Sequence, residues 1–144
     1  MRHVRHYDAA FAGMPDYMHR ALLSSYLQTA AHHPLSNEAL DVYSAPWLGH
    51  IGQPAFYRQI AQMEQAYTDE VEPLYDKISC PVQVLWGVND DWIPYAKGQE
   101  LAERISDRPC QLIEGAGHLV QEDRPEAILA AVLHMLLHML TEVS

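Results

Sequence analysis

Apolar and polar residues follow two different spacings along the chain, and the spacing changes near residue 78. Before that point, apolar residues recur every three to four positions, which predicts short amphipathic helices separated by proline and glycine. After it, short apolar runs alternate with helical patterns, which predicts strands and helices in turn. The sequence therefore predicts a helical first part over residues 1–75 and an α/β second part over residues 76–144.

Four helices are predicted in the first part, of which the last is short. One runs from Asp16 to about Ala31, and a second runs from Ser36 to Tyr43. Pro54 stands where a first-turn proline is tolerated, so the third helix is expected to begin beside it. Asp69, followed three residues later by a glutamate, resembles a capping box and predicts a further short helix.

The second part predicts two strands and two helices. The run PVQVLWG is short, apolar and β-branched, as in strands that are buried in parallel sheets. It is followed by a helix from about Tyr95 to Ile105, a second strand in CQLIEG, and a helix from Arg124 to about Leu140. Strand, helix and strand in this order form a βαβ unit, so the two strands are expected to be parallel.

Composition and charge exclude several classes of partner. The chain has 144 residues, with 9 Lys and Arg against 19 Asp and Glu, which gives a net charge of −10. Such a charge repels nucleic acid and anionic lipid surfaces, so we expect neither as a partner. The N-terminus lacks the apolar run of a secretory signal, and the longest apolar stretch is too short for a bilayer. A cytoplasmic protein is expected.

The cysteines and most histidines give no metal or cofactor signal. Cys80 and Cys110 each precede an apolar run, so buried reduced thiols are expected. His134 and His138 lie four residues apart but lack the glutamate of a zinc motif, and no metal or other cofactor is expected. The remaining histidines outside position 118 are expected on the surface: His3, His6, His19, His32, His33 and His50.

Polar side chains with catalytic chemistry follow both predicted strands. Asp90 and Asp91 follow the first strand, and His118 follows the second. The carboxyl ends of neighbouring parallel strands meet at one edge, where a carboxylate can orient an imidazole for general-base chemistry. Gly115 and Gly117 are expected to allow the sharp turn that aims the histidine at the acid. Asp91 is interpreted as a solvated loop carboxylate.

These runs resemble a known family. PVQVLWGVNDDWIP, followed by GAGHLVQEDRPE and an apolar helix, is similar to the C-terminal part of an α/β-hydrolase fold. In that family, G-x-x-D-x-W-I-P supplies the acid and G-x-G-H supplies the triad histidine. The matching positions are Gly87, Asp90, Trp92, Ile93 and Pro94, and then Gly115, Gly117 and His118. The resemblance implies that Asp90 and His118 belong to a catalytic triad that hydrolyses an ester, acyl, epoxide or carbon-halogen bond.

The resemblance also implies that the helical first part is a cap or lid. Its aromatic residues Tyr43, Trp47, Phe56 and Tyr57 are candidates for lining a pocket for a small apolar organic substrate. Aromatic residues at helical spacing also form cores, and that alternative stays open. Trp92 is either a packing residue beside the acid or a contact to the ligand.

A nucleophile is missing from the motifs. The family places it on an elbow G-x-S-x-G, or its Asp or Cys equivalent, that precedes the acid and the histidine. No such motif exists here, and no serine of this sequence has glycine at both two-residue offsets. We therefore expect a fragment that supplies only the acid and the histidine, with doubtful activity on its own. The alternative is a non-catalytic remnant or a module that self-associates or completes another chain through the open edge of its first strand. Core positions of the last helix, such as Ile128, Val132 and Leu136, are expected to be partly uncovered.

Overall fold

The computed structural model describes residues 2–142 and divides the chain into two compact units. The first unit holds the chain up to Gln28 together with Leu35–Pro73, and the second holds Thr29–Pro34 with the chain from Leu74 onward. The short segment Thr29–Pro34 thus belongs to the second unit, although both of its chain neighbours belong to the first. That residues 1–75 and 76–144 are separate domains stays a prediction.

The first unit is helical. Its helices are α1 (Arg2–His6), α2 (Asp8–Ala12), α3 (Asp16–Gln28), α4 (Asn37–Ser44), α5 (Gly49–Ala61) and α6 (Gln65–Val71). A 3₁₀ turn, Ala45–Trp47, connects α4 to α5, and a 3₁₀ segment, Glu72–Lys77, follows α6.

Local sequence signals account for the ends of α3 and α4. The hydroxyl of Ser36 accepts the backbone N–H of Ala39 at 3.1 Å, and this cap confirms the predicted start of the second helix. Helix α3 is also confirmed, but it ends at Gln28, earlier than predicted. The Gln28 side chain donates to the carbonyl of Leu35 at 3.1 Å and accepts its N–H at 2.9 Å. These two bonds satisfy the backbone where the first unit resumes.

Two boundary predictions in this unit are wrong. Pro54 lies in the interior of α5, because the helix begins at Gly49, which adopts a φ of 72°. The ring of Pro54 leaves the carbonyl four residues earlier without its helical donor. Asp69 lies inside α6 rather than ahead of a helix. It accepts a bond from the Gln65 amide at 3.1 Å, the ordinary i, i+4 partner on a helix face.

A buried histidine stands in the core of the first unit. His19 is only 1% exposed, and its ring contacts those of Phe56 and Tyr57. Its Nε2 lies 2.8 Å from the carbonyl oxygen of Trp47, and its Nδ1 lies 2.8 Å from the Tyr57 hydroxyl. In the neutral ring, Nε2–H therefore donates to the carbonyl and Nδ1 accepts from the hydroxyl. The prediction of a surface His19 is wrong because both nitrogens find partners inside the core.

The second unit is the predicted βαβ arrangement, which is confirmed. Strands β1 (Leu85–Gly87) and β2 (Gln111–Ile113) are parallel, with Trp86 opposite Leu112. The helices are α7 (Tyr95–Ile105), α8 (Val120–Asp123) and α9 (Pro125–Glu142), of which the short α8 was not predicted. A Cβ at Gly98 of α7 would lie 2.4 Å from the Trp86 ring, so only glycine lets this helix pack so closely on β1.

Much of the last helix is uncovered. Val132 and Leu136, which were expected to be partly exposed, are 48% and 52% exposed, and Leu137 is 64% exposed. In the described residues, β1 and β2 pair only with each other, which leaves an outer edge on each strand. No helix in the described range is both long enough and apolar enough to span a membrane.

The two thiols differ from the expectation of burial. Cys80 is exposed, so its predicted burial is wrong, because the residues around it form an irregular loop ahead of β1. Cys110 is half-buried, and burial raises the pKa of its thiol. A raised pKa lowers the thiolate fraction and makes Cys110 a poor nucleophile.

Candidate active site

An acid and a histidine meet at the carboxyl ends of the two parallel strands. Nδ1 of His118 lies 2.9 Å from Oδ2 of Asp90. The Asp90 side chain is 3% exposed, and the His118 side chain is 32% exposed. Because an ionised carboxylate only accepts, Nδ1–H donates and the lone pair of Nε2 remains available in the neutral ring. The arrangement is that of a general base with its orienting acid.

The loop after β1 fixes the Asp90 carboxylate. Oδ1 accepts the backbone N–H groups of Trp92 and Ile93, each at 2.9 Å, while Oδ2 faces His118. These bonds close the turn around the acid and leave one oxygen for the imidazole. The carboxylate therefore needs no rearrangement to hold the ring, which is the sense in which the site is preorganised.

Asn89, which the sequence analysis did not select, ties the two loops of the site together. Its N–H donates to the carbonyl of Ala116 at 2.9 Å, and its side-chain oxygen accepts the N–H of Gly115 at 3.1 Å. An asparagine beside two aspartates has the appearance of an ordinary turn in sequence. Its role depends on a loop 26 residues further along the chain, and no local signal identifies it.

Glycines around the pair serve two different needs. Gly115 has a φ of 68°, as the predicted turn requires. Gly117 does not have positive φ; instead, a Cβ there would lie 2.8 Å from the backbone nitrogen of His32. At Gly87 a Cβ would lie 2.3 Å from the carbonyl oxygens of Ala116 and Gly117. Close approach of backbones therefore accounts for Gly87 and Gly117, and backbone conformation for Gly115.

Trp92 packs directly on the imidazole. The ring centroids of Trp92 and His118 are 4.9 Å apart with the planes tilted by 34°. The indole N–H donates to the hydroxyl of Thr29 at 3.1 Å. A contact between Trp92 and substrate stays a prediction.

A cavity of about 180 Å³ opens beside the pair within the second unit. Leu85, Trp86 and Val120 contribute its apolar walls, and Asp90 and His118 are its ionisable groups. The His118 side chain thus borders a pocket that suits an apolar substituent.

A buried carboxylate lies on the other side of the histidine loop. The Asp123 side chain is 1% exposed and accepts three backbone N–H groups, from His32, His33 and Gly117, each at 2.8 Å. Burial by itself raises the pKa of Asp123, but the bonds from Gly117, His32 and His33 lower it below its ordinary value. Asp123 was not among the predicted site residues, because an aspartate beside a helix start usually indicates a solvated charge.

The predicted pocket residues of the first unit lie in or near its aromatic cluster. Phe56 is buried, and its ring contacts those of Trp47, Tyr57 and His19. Trp47 and Tyr43 are half-buried. Their role in binding a substrate stays a prediction.

One further aspartate and seven histidines that the sequence brought into question are exposed. They are Asp91, His134 and His138, together with His3, His6, His32, His33 and His50. Within residues 2–142, no three His, Cys, Asp or Glu side chains are grouped as ligands of one metal ion.

Comparison with solved structures finds the same fold. An α/β-hydrolase fold protein from Burkholderia ambifaria has a TM-score of 0.88 and is 52% identical, and the match covers 92% of this chain and 49% of that one. The protein lip1 from Acinetobacter baumannii AYE has a TM-score of 0.65 at 22% identity, over 88% of this chain and 46% of that one. The chain therefore spans about half the length of both structures.

Curated relatives match a shorter segment. Monoacylglycerol lipase ABHD6 of Mus musculus is 31% identical over 61 residues, which is 42% of this chain and 18% of that protein. The Bos taurus protein of the same name is 36% identical over 50 residues, or 35% of this chain and 15% of that protein. No family model matches the sequence.

Proposed function

Because the chain belongs to the α/β-hydrolase fold family, we propose that Asp90 and His118 are the acid and the base of a triad that hydrolyses carboxylic esters. The observation that carries the proposal is the 2.9 Å bond between Nδ1 of His118 and the buried carboxylate of Asp90. It fixes the tautomer in which Nε2 accepts a proton.

The chemistry follows from that tautomer. Nε2 of His118 takes the proton of an attacking hydroxyl, and Asp90 stabilises the imidazolium that forms. The same proton passes to the departing alkoxide, which leaves as the alcohol. His118 then removes a proton from the water that attacks the acyl intermediate and returns it to the oxygen of the nucleophile as the acyl–oxygen bond breaks, so the acid product leaves and the neutral imidazole is restored.

The nucleophile is assigned outside these residues. No serine of the sequence has the elbow pattern, so in this proposal a nucleophile beyond the 144 residues completes the triad. The chain contributes the acid, the base and the cavity beside them.

An apolar acyl ester is the proposed substrate class. The name of the curated relatives, monoacylglycerol lipase, supports ester chemistry over epoxide or carbon-halogen hydrolysis. The apolar walls at Leu85 and Val120 suit an acyl or alkyl chain. Trp92, which packs on His118 within the same unit, remains a candidate for a further substrate contact.

The test is a fusion protein. The chain replaces the matching half of the Burkholderia ambifaria protein, and the fusion is assayed on a nitrophenyl ester that the intact parent hydrolyses. We expect activity that falls by about 10⁴-fold or more in His118→Ala, as loss of a triad member does elsewhere. His134→Ala, on the exposed face of α9, is the matched control. An active fusion that tolerates His118→Ala contradicts the proposal.

A second function is supported by a separate observation. The exposed apolar residues of α9 and the outer edges of the two strands favour a module that associates with itself or with another chain. Sedimentation velocity over a range of concentrations tests this second proposal. A single monomer species at all concentrations argues against self-association.

The cytoplasmic location also stays a prediction.

A further inference from the structure

The loop that carries His118 is fastened to a segment from far earlier in the chain. On one side of the histidine, the N–H of Leu119 donates to the carbonyl of Ala30 at 3.0 Å. On the other side, Gly117 approaches the segment so closely that a Cβ would lie 2.8 Å from the nitrogen of His32. The segment Thr29–Pro34 therefore contacts the histidine loop on both sides of His118.

Asp123 is the group that joins the two. Its Oδ2 accepts the N–H of Gly117 and the N–H of His32, both at 2.8 Å. Its Oδ1 accepts the N–H of His33 at 2.8 Å and faces Nδ1 of the same residue at 3.1 Å. The Asp123 side chain is 1% exposed, so the acceptor oxygens of these bonds are shielded from water, although the His33 side chain is 59% exposed. One carboxylate thus connects the residue directly before His118 to the segment Thr29–Pro34.

A third contact connects the same segment to the imidazole itself. Thr29 accepts the indole N–H of Trp92 at 3.1 Å, and the Trp92 ring packs on His118 at 4.9 Å between centroids. The imidazole is therefore held by Asp90 at Nδ1, by Trp92 on its face, and by the segment through both neighbouring peptides. Two of these three supports depend on the position of residues 29–34.

We propose that Asp123 is a positioning residue for His118, which holds Thr29–Pro34 against the histidine loop and so sets the imidazole against Asp90. Asp123 does not contact the ring and acts through the peptide of Gly117 and through the segment. Its importance for turnover rests on the proposed hydrolase function, but its effect on the geometry of the ring does not.

Only a carboxylate satisfies this site. Backbone N–H groups donate to both carboxylate oxygens of Asp123. In an asparagine, an NH₂ group would replace one of these oxygens and would face backbone donors instead of accepting from them. Asp123→Asn is therefore expected to release either Gly117 and His32 or His33. Asp123→Glu keeps both acceptor oxygens and is the conservative rescue variant.

The readout is the Nδ1–H proton of His118 in the ¹⁵N-labelled chain at mildly alkaline pH. In the unaltered protein we expect a downfield signal that exchanges slowly with water. In Asp123→Asn the exchange accelerates by about tenfold or more, as expected when a charge-assisted bond no longer opposes local opening. Asp107→Asn removes an exposed charge from the same unit and is expected to leave the signal unchanged. Asp123→Glu restores slow exchange.

Backbone amide signals of α7 report whether the variant has folded. A folded Asp123→Asn chain whose His118 signal matches the unaltered protein in shift and exchange overturns the proposal. If that variant does not fold, Thr29→Val replaces it, because this change is isosteric and on an exposed residue. Thr29→Val removes the acceptor of the Trp92 indole and is expected to accelerate exchange; an unchanged signal there also overturns the proposal.

The signal distinguishes this inference from the proposed function. It requires no nucleophile and no turnover. Loss of the proposed hydrolysis with an intact, Asp123-dependent His118 signal refutes only the function. An Asp123-independent signal in a fusion that needs His118 for activity refutes only the positioning role.

Discussion

Asp90 and His118 stand 28 residues apart in sequence and share a hydrogen bond of 2.9 Å, with the acid buried and the imidazole one-third exposed. The two side chains are buried to different degrees. The acid is shielded and fully bonded, while the ring keeps one edge open towards the cavity. The pair is therefore suited to orient a proton acceptor rather than to form a structural ion pair.

Asp90→Asn is expected to preserve the fold and change the tautomer of His118. The amide oxygen still accepts the N–H groups of Trp92 and Ile93, but its NH₂ faces Nδ1 and donates to it. The proton then resides on Nε2, which no longer serves as a base. Imidazole ¹⁵N shifts measure this directly, and in the active fusion the rate is expected to fall by about 10⁴-fold.

Asp91→Asn is the matched control for that change. Asp91 is the exposed neighbour, so the same charge is lost one residue away. The imidazole shifts should match those of the unaltered chain. If both variants shift the tautomer equally, general charge rather than the specific bond controls the ring.

The lowered pKa of Asp123 predicts that the free energy of unfolding depends on pH. Hydrogen bonds lower its pKa in the folded state, whereas the unfolded chain has an ordinary value of about 3.9. A folded pKa below the unfolded one contributes stability that is fully present above about pH 5 and is lost as pH falls through the folded value. Urea unfolding at a series of pH values should show Asp123→Asn less stable by about 2–3 kcal/mol at neutral pH, since buried acceptors are lost.

The acidic end of the same pH series tests whether the charge of Asp123 causes this difference in stability. Below the folded pKa, both chains carry a neutral side chain at this position, so the difference in unfolding free energy should shrink with acid. A difference that stays constant down to the acid limit shows that the carboxylate charge plays no part.

The two kinds of glycine in the site predict different costs. Gly115→Ala strains a residue at positive φ, and the nearest atom to its Cβ is the flexible end of Arg124 at 2.7 Å. A loss of about 1–2 kcal/mol is expected, the usual cost of a left-handed conformation. Gly87→Ala instead places its Cβ 2.3 Å from two backbone oxygens that cannot move independently. It should destabilise the chain more than Gly115→Ala and should also shift the His118 signal; denaturant midpoints of the two variants test the order.

The acid-histidine pair was predictable because each partner is marked by its own neighbours. Asp90 follows an apolar run and precedes W-I-P, and His118 follows two glycines, so short motifs at two strand ends were sufficient. The parallel pairing followed from the order of strand, helix and strand. Topology placed Asp90, Asp91 and His118 at one edge of the sheet, and the resemblance to the α/β-hydrolase fold selected Asp90 as the acid.

The supports of the pair were not predictable in this way. Asn89, Asp123 and Thr29 are polar residues of loops, and each is explained by a partner 26 or more residues away. Single-sequence patterns contain no information on such pairs, so these residues are read as solvated. The burial of His19 was missed for the same reason, because its partners Trp47 and Tyr57 lie 28 and 38 residues further on.

His19 therefore offers a test of the first unit that leaves the site residues unaltered. His19→Leu removes the donor to the Trp47 carbonyl and the acceptor of the Tyr57 hydroxyl, so two buried or half-buried polar groups lose these partners. We expect a loss of about 2–4 kcal/mol in unfolding free energy. Tyr57→Phe removes one bond only, keeps the ring, and should cost about 1 kcal/mol. Chemical denaturation of the two variants gives the comparison, and a His19→Leu chain as stable as the unaltered protein would show that packing alone holds this core.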